Sequence, residues 1–316
     1  MQADAAPRIA GRSRQAPDAA PASRQPIIDL LQGASVEISA RDPAAVDSCL
    51  ALLEPGSAVY VNFAAADTHH GLVATAKRLQ RAGFLPVPHV AARYLAGYTQ
   101  LDDYLSRASG EAGVEQVLVI AGDIDRPVGP FASSLQILET GLFAKHGIRR
   151  IGIAGYPEGH PKIAAADLDR ALEAKLGCLQ QGGSEPYIVT QFCLEAAPII
   201  NWIGKWRRHG VAVPIRVGLA GPTSIAALAR YAVRCGIGNS IRALVGRQTS
   251  LARLLVEAGP EPVIAALAMA RSPAEGVAGL HFFPFGGLQR TGNSMRAIMQ
   301  GKFTLAPGAD GFQVTG

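Results

Sequence analysis

Charge, aromatics and paired cysteines are all scarce in this chain of 316 residues. Charged residues make up 17% against 48% hydrophobic, below the roughly 25% charge of an average soluble protein. That balance excludes a disordered, solvating chain. Aromatics are only 6% and no long block of like charge occurs. The net charge of +5 therefore lacks the dense basic face with stacking rings that nucleic acid requires, and no nucleic-acid partner is expected. Apolar runs such as Val117–Ala121 are strand-sized. None approaches the roughly 18 residues of a spanning helix, so no membrane insertion is expected. No apolar signal region opens the chain, and Cys49, Cys178, Cys193 and Cys235 form no CxxC pair. A reduced, cytoplasmic setting is the expectation. GxGxxG and GxSxG are both missing, which disfavours a classical dinucleotide fold and a serine hydrolase. No ligand cluster of metal-site spacing appears, so no metal is expected.

What is abundant is turn chemistry: 35 Gly and 21 Pro. Residues 1–26 are rich in Ala, Pro and Arg without apolar period, and read as a flexible tail. Four Arg (Arg8, Arg12, Arg14, Arg24) against Asp4 and Asp18 place +2 of the +5 there, leaving +3 for the rest. That mild charge suits small anionic ligands. Residues 304–316 read as a frayed C-terminal tail, so residues 27–303 are the folded domain.

Between the tails, strand-like and helix-like segments alternate. The strand candidates are Ser35–Ala40, Ala58–Phe63, Leu85–Val90, Gln116–Ala121, Arg150–Ala154, Tyr187–Phe192, Ile215–Leu219 and Gly279–Phe283. Most are continuous apolar runs, as in parallel strands buried on both faces. Segments of helical period separate them, including Gly71–Ala82, Leu101–Ala108, Leu135–Lys145, Ala164–Gln180 and Ser224–Cys235. Eight strand–helix units of about 35 residues predict an α/β fold, a (β/α)8 TIM barrel. Apolar period in Ser250–Val256 and Val263–Ala270 adds extra helices between strands 7 and 8.

In such a barrel the chemistry sits at the C-terminal strand ends. There the sequence places Glu37, Asn62, His89, Gly122-Asp123, the run Gly155–Pro161, Thr190-Gln191, and Gly218–Thr223. Glu37 lies in an otherwise apolar strand. It must find a partner or stay protonated with a raised pKa. Asp123 could equally cap a helix, and His89 could be a satisfied core histidine. His69-His70 reads as a helix start, since adjacent helical residues point apart. Thr223-Ser224 could hold an anion at a helix N-terminus or simply cap it.

The run Gly155-Tyr156-Pro157-Glu158-Gly159-His160-Pro161 closely resembles the signature of the methylenetetrahydrofolate reductases. Val189-Thr190-Gln191-Phe192 resembles that family's TQ-aromatic strand. Val-Glu37-Ile-Ser, Pro88-His89, Gly122-Asp123, Val217–Pro222 and His281-Phe282-Phe283 resemble further family motifs, in order, across residues 35–285. The resemblance implies a barrel that holds FAD. It implies hydride transfer from NADH or NADPH through the flavin to 5,10-methylenetetrahydrofolate, giving 5-methyltetrahydrofolate, in one-carbon and methionine metabolism. It also implies Glu37 as the acid that protonates the folate N10 while staying protonated near neutrality, with Asp123 and Gln191 on the folate. Asn62, His89, Asp123, Tyr156 and His160 would contact FAD, with Asp167 and Lys175 on its ribityl chain and phosphates. A homo-oligomer is expected, and S-adenosylmethionine regulation is not.

Three departures stand out. Glu37 is not followed by the family's Pro-Pro, Pro284-Phe285-Gly286-Gly287 replaces a Leu-Asn, and Ile237–Ala258 does not match the family's nicotinamide- and folate-stacking helix. Two other readings remain open on the residues. One is a different TIM-barrel enzyme for an anionic or pterin substrate held at Thr223. The other is a barrel subunit that binds flavin or folate without turnover.

Overall fold

A computed structural model describes residues 24–64, 67–235, 257–270, 277–306 and 311–315. Eight parallel strands close into a barrel: β1 (Ser35–Ser39), β2 (Ala58–Asn62), β3 (Leu85–Ala91), β4 (Gln116–Ile120), β5 (Arg150–Gly155), β6 (Glu185–Thr190), β7 (Ile215–Ala220) and β8 (Val277–Phe283). Each pairs with the next in the chain. β1 closes the ring against β8, with Ser35 opposite His281 and Val36 opposite Phe282. All eight strands expected from the sequence are present. The sixth begins and ends two residues earlier than expected, which leaves Gln191 just past its end.

Eleven helices accompany the described strands: α1 (Arg24–Leu31), α2 (Ala45–Leu52), α3 (His69–Arg81), α4 (Tyr98–Ala112), α5 (Ser134–Leu138), α6 (Leu142–Lys145), α7 (Ala165–Gln181), α8 (Ala196–Arg208), α9 (Ile225–Cys235), α10 (Glu261–Met269) and α11 (Leu288–Met299). α10 is the extra helix expected near Val263–Ala270. The expected helical segment Ser250–Val256 lies outside the described residues. α3 starts at His69 as expected, with Thr68 capping it by accepting from the Gly71 N–H.

The described residues at the inner end of the N-terminal segment and in the C-terminal segment differ from expectation. α1 begins at Arg24, inside the segment read as tail, because Ile27 and Leu31 bury against the barrel's outer layer. The C-terminal segment is not frayed. Phe303–Leu305 pairs antiparallel with Phe312–Val314, and the rings of Phe303 and Phe312 lie 4.7 Å apart. Two aromatic rings supply the burial that the short apolar content of this segment concealed.

Strand parity sorts the side chains. Val36 and Ile38, Val59 and Val61, Val117 and Val119, and Leu280 and Phe282 join one large outer core with the helices. The alternate positions point inward. Low in the barrel these are Tyr60, Val87, Leu118, Tyr187 and Val189, which cluster separately. There the Tyr60 hydroxyl donates to the Tyr187 hydroxyl (3.3 Å), which donates to the Val117 carbonyl (3.1 Å). Nearer the mouth the inward set is polar: Glu37, Asn62, His89 and His281.

The ring is tight at β7. The Gly218 N–H donates to Thr190 Oγ1 (2.8 Å). A Cβ on Gly218 would lie 2.3 Å from the Thr190 carbonyl oxygen and 2.8 Å from the Phe283 ring. Backbone cannot yield as a flexible side chain can. Gly218→Ala should therefore destabilise the fold by about 2 kcal/mol or more, read as a lower urea midpoint. An unchanged midpoint would show that β6 and β7 can separate without cost.

Candidate active site

Closure of the sheet brings four side chains from four strands to one point. Glu37 on β1 is about one-seventh exposed. Its Oε1 accepts from Asn62 Nδ2 (3.1 Å). Its Oε2 faces two imidazoles, His89 Nε2 at 3.3 Å and His281 Nε2 at 3.7 Å. His281 is fully buried, and its Nδ1 lies 3.0 Å from Ser35 Oγ. The Ser35 hydroxyl also lies 3.4 Å from the Leu280 carbonyl, so it fixes the His281 ring from both sides.

The electrostatics follow from that geometry. Burial alone raises the Glu37 carboxyl. The attraction of His89, hydrogen bonding from His281 and Asn62, and the charge of His281 outweigh burial, so the group sits below the ordinary glutamate range. Burial pushes His89 down, Glu37 partly restores it, and His281 lowers it again. Near neutrality the pair is an ionised carboxylate beside a neutral imidazole. This corrects the expectation of a carboxylic acid protonated near neutrality. The sequence showed the desolvation but not the two imidazoles opposing it. Glu37 and His89, 3.3 Å apart, titrate as a pair.

The rim is built by three loops. After β4, Gly122 has a positive φ of 97°, and Asp123 Oδ1 accepts from the Tyr94 hydroxyl at 2.5 Å. Arg93 straps this loop by donating to the carbonyls of Ala132 (2.8 Å) and Ile124 (3.0 Å). After β5, the Tyr156 and His160 rings meet edge to face, 5.4 Å apart. His160 Nδ1 accepts from the Lys162 N–H (3.2 Å), leaving Nε2 as the protonated nitrogen. Burial and the nearby cations Lys162 and Arg93 keep its pKa low. Lys162 also pairs with Asp125. After β6, the Gln191 N–H donates to the Gly155 carbonyl (2.8 Å), and its side-chain oxygen accepts from the Phe192 N–H (3.0 Å). Cys193 is a clip beside them. Its thiol donates to the Gln191 carbonyl (3.5 Å), and burial with Glu158 next to it pushes the thiol well above the ordinary range.

Glu37, Asn62 and His89 are thus in direct contact, while Asp123, Tyr156, His160 and Gln191 ring the mouth. Asp167 sits in the first turn of α7, exposed and paired with Arg170. Lys175 is not brought to the mouth. It lies ten residues into α7, about 15 Å down the axis, on the buried face with Leu172, Leu176 and Leu179. Burial lowers its amine to about 8. Spacing along a chain cannot say how far a helix carries a residue from its strand end. Thr223 is buried and pairs with Ala258 in a short ribbon, while Ser224 Oγ caps α9 by accepting from the Ala227 N–H (3.2 Å). The capping reading is borne out at Ser224. Among the described residues no group of His, Cys, Asp and Glu could hold a metal ion, and no helix is long and apolar enough to cross a membrane.

His281, Ser35 and Tyr94 were missed as site residues. Strand parity could have found the first two. His281 alternates with the apolar Leu280 and Phe282, as Ser35 does with Val36.

Asn62 Oδ1, His89 Nε2 and His281 Nε2 are buried without a well-formed hydrogen bond among the described residues. Such atoms at a barrel mouth suit a polar heterocycle that supplies the missing partners.

The methylenetetrahydrofolate reductase family model matches residues 56–285. Methylenetetrahydrofolate reductase 2 of Saccharomyces cerevisiae is 32% identical over 142 residues, covering 42% of this chain and 23% of the yeast protein. This chain therefore spans about a quarter of that relative. A solved structure of a Clostridium thermocellum protein that binds two copies of 5-methyl-5,6,7,8-tetrahydrofolic acid superposes with a TM-score of 0.55. It is 12% identical, and the match covers 88% of this chain and 97% of that one. At that identity the likeness shows the barrel fold.

The acid–base trio makes a signed prediction. In the native protein Glu37 contributes stability above pH 4.5, lost as pH falls through its lowered folded value. Neutral His89 likewise favours the fold above pH 6.5, an advantage lost on acidification. In His89→Phe, the buried carboxyl keeps its desolvation and loses the imidazole facing its Oε2, so its pKa rises and acid relieves it. The destabilisation of His89→Phe relative to wild type should be larger at pH 7.5 than at pH 5, by urea unfolding. A gap independent of pH would show that the two groups are not coupled.

Proposed function

The chain belongs to the methylenetetrahydrofolate reductase family, and from that premise we propose that it interconverts 5,10-methylenetetrahydrofolate and 5-methyltetrahydrofolate with FAD and NADH or NADPH. The observation that carries the reading is the meeting of Glu37, Asn62, His89 and His281 at the barrel mouth. It joins a carboxylate to two imidazoles and an amide at the C-terminal ends of the strands. FAD, when bound, would supply the hydride relay between nicotinamide and folate. Asn62, His89, Tyr156 and His160 would hold it, and Asp123 would face both it and the substrate. For Asp167 and Lys175 a contact with the ribityl-phosphate chain requires the cofactor to reach along α7.

The protein's own chemistry is proton management. Opening the folate ring needs a proton on the departing nitrogen and negative charge near the resulting cation. Glu37 delivers that proton from Oε2. His89 Nε2, 3.3 Å away, and His281 Nε2, 3.7 Å away, face the carboxylate left behind until it regains a proton from solvent. A ligand that covers the mouth deepens the burial of Glu37, which raises its pKa, so the carboxyl takes up one proton from solvent as the ligand binds. The correction to Glu37's resting state therefore leaves its role intact, since the acid is charged up by substrate binding. Asp123, held by the Tyr94 hydroxyl, supplies the fixed negative charge. Gln191 offers its amide nitrogen to the folate, because its side-chain oxygen is already used by Phe192.

Purified protein should hold yellow, noncovalent flavin released on denaturation. A protein that neither carries nor takes up FAD would overturn the reading. Glu37→Gln should leave flavin reduction by the nicotinamide within a few-fold of wild type in stopped flow, and slow the folate half-reaction by roughly a hundredfold or more. Equal losses in both half-reactions would make Glu37 structural.

A further inference from the structure

Outside the barrel ring, a pocket of about 250 Å³ opens between the start of α4, the end of the loop after β4, and α5. No residue of the acid–base site lines it. Tyr98, the first residue of α4, and Phe131 form two of its walls. Their ring centroids lie 4.9 Å apart with the planes at 65°, so the two rings make a corner. Phe131 is buried, whereas Tyr98 is 60% exposed. Gln136, Glu139 and Thr140 supply the polar wall.

Most of that polarity is already committed. Gln136 Oε1 accepts from the N–H groups of Ala132 (2.6 Å) and Ser133 (3.1 Å) at the head of α5. Thr140 Oγ1 donates to the Ile137 carbonyl (2.7 Å) and accepts from the Leu142 N–H (3.3 Å). The Glu139 carboxylate, by contrast, makes no ion pair or hydrogen bond among the described residues, in a chain of net charge +5. Lys145, further along the same segment, is already held by both oxygens of Asp102 (2.7 and 3.0 Å).

A carboxylate beside two aromatic rings attracts a cation, because the ring faces carry the negative side of the quadrupole. The kind of cation follows from the hydrogen bonds on offer. A guanidinium or a primary ammonium brings several N–H donors, each costly to leave unmade. Glu139 is the only charged group lining the pocket, and its neighbours' oxygens are in use. A quaternary ammonium brings no N–H donor. Its charge is spread over methyl groups that pack on ring faces, and it needs only a nearby negative charge. An apolar cavity of about 150 Å³ takes a benzene ring, so a compact methylated head group fits this larger pocket.

We infer that this pocket binds a small quaternary ammonium ion, seated in the corner of Tyr98 and Phe131 with Glu139 as its counter-charge. The site is separate from the mouth, and its test needs neither flavin nor folate.

Tetramethylammonium chloride titrated into the full chain at constant ionic strength should bind saturably, in roughly the millimolar range, by saturation-transfer NMR. Guanidinium and the neutral analogue 2,2-dimethylpropanol should each bind about fivefold more weakly or worse. Tyr98→Leu keeps apolar bulk but removes a ring face, and should weaken tetramethylammonium about fivefold. Glu139→Gln keeps the shape but removes the charge, and should weaken it about threefold or more. Both side chains are exposed, and far-UV circular dichroism checks that the variants fold. Asp123→Asn should leave the affinity unchanged. Absence of saturable binding, equal binding of the neutral analogue, or unchanged affinity in either Tyr98→Leu or Glu139→Gln would overturn the inference. So would loss of binding in Asp123→Asn, which would place the ion at the mouth, or tighter binding of guanidinium than of tetramethylammonium.

Discussion

Ser35 and His281 face each other where β1 meets β8, and this seam turns a row of strands into a ring. An open sheet of the same strand order would leave β1 and β8 as opposite edges, with Glu37 and His281 a full sheet apart. Closure places the His281 imidazole 3.7 Å from the Glu37 carboxylate and 3.0 Å from Ser35 Oγ. It also gives every strand two neighbours, so the outward apolar residues of each can serve one continuous core with the helices. Packing tolerance around the ring is small, as Gly218 and Gly155 show by leaving no room for a Cβ.

Inside that ring, burial and pairing compete over Glu37. A carboxylate taken out of water alone would hold its proton. Here two imidazoles and an amide face it, and their combined pull overrides desolvation. The cost of pairing falls on the histidines: His89 is held neutral by the same burial. The result is a carboxylate whose charge rests on its partners, which a ligand can tip by excluding water. A strongly acidic or strongly basic lone group at this position could not respond in that way.

The family relationship and the geometry illuminate different parts of the chain. The family match begins at residue 56, after β1, and therefore leaves out Glu37 and Ser35. Their place in the site comes from the barrel's seam. Conversely, the Tyr156–His160 turn was conspicuous as a motif, yet the motif alone did not reveal that its outer face walls a slot with Trp202 and Trp206. Those tryptophans are some forty residues further on and belong to another helix.

Alternation of strand and helix, the number of strands and the position of the mouth were legible in the sequence, because buried parallel strands must be apolar and site chemistry must interrupt them. Glu37, Asn62 and His89 could be singled out because each is polar within an apolar run. The sequence by itself could also show that Glu37 was too buried to stay charged without partners. It could not bring His281 to Glu37, since the first and last strands meet only when the sheet closes. It could not place Lys175, since a helix carries its residues away from the strand end at 1.5 Å per step. Nor could it decide the charge on Glu37. Local sequence sets desolvation, whereas the opposing attraction comes from groups 52 and 244 positions away, His89 and His281, and only the tertiary structure brings them within a few ångströms.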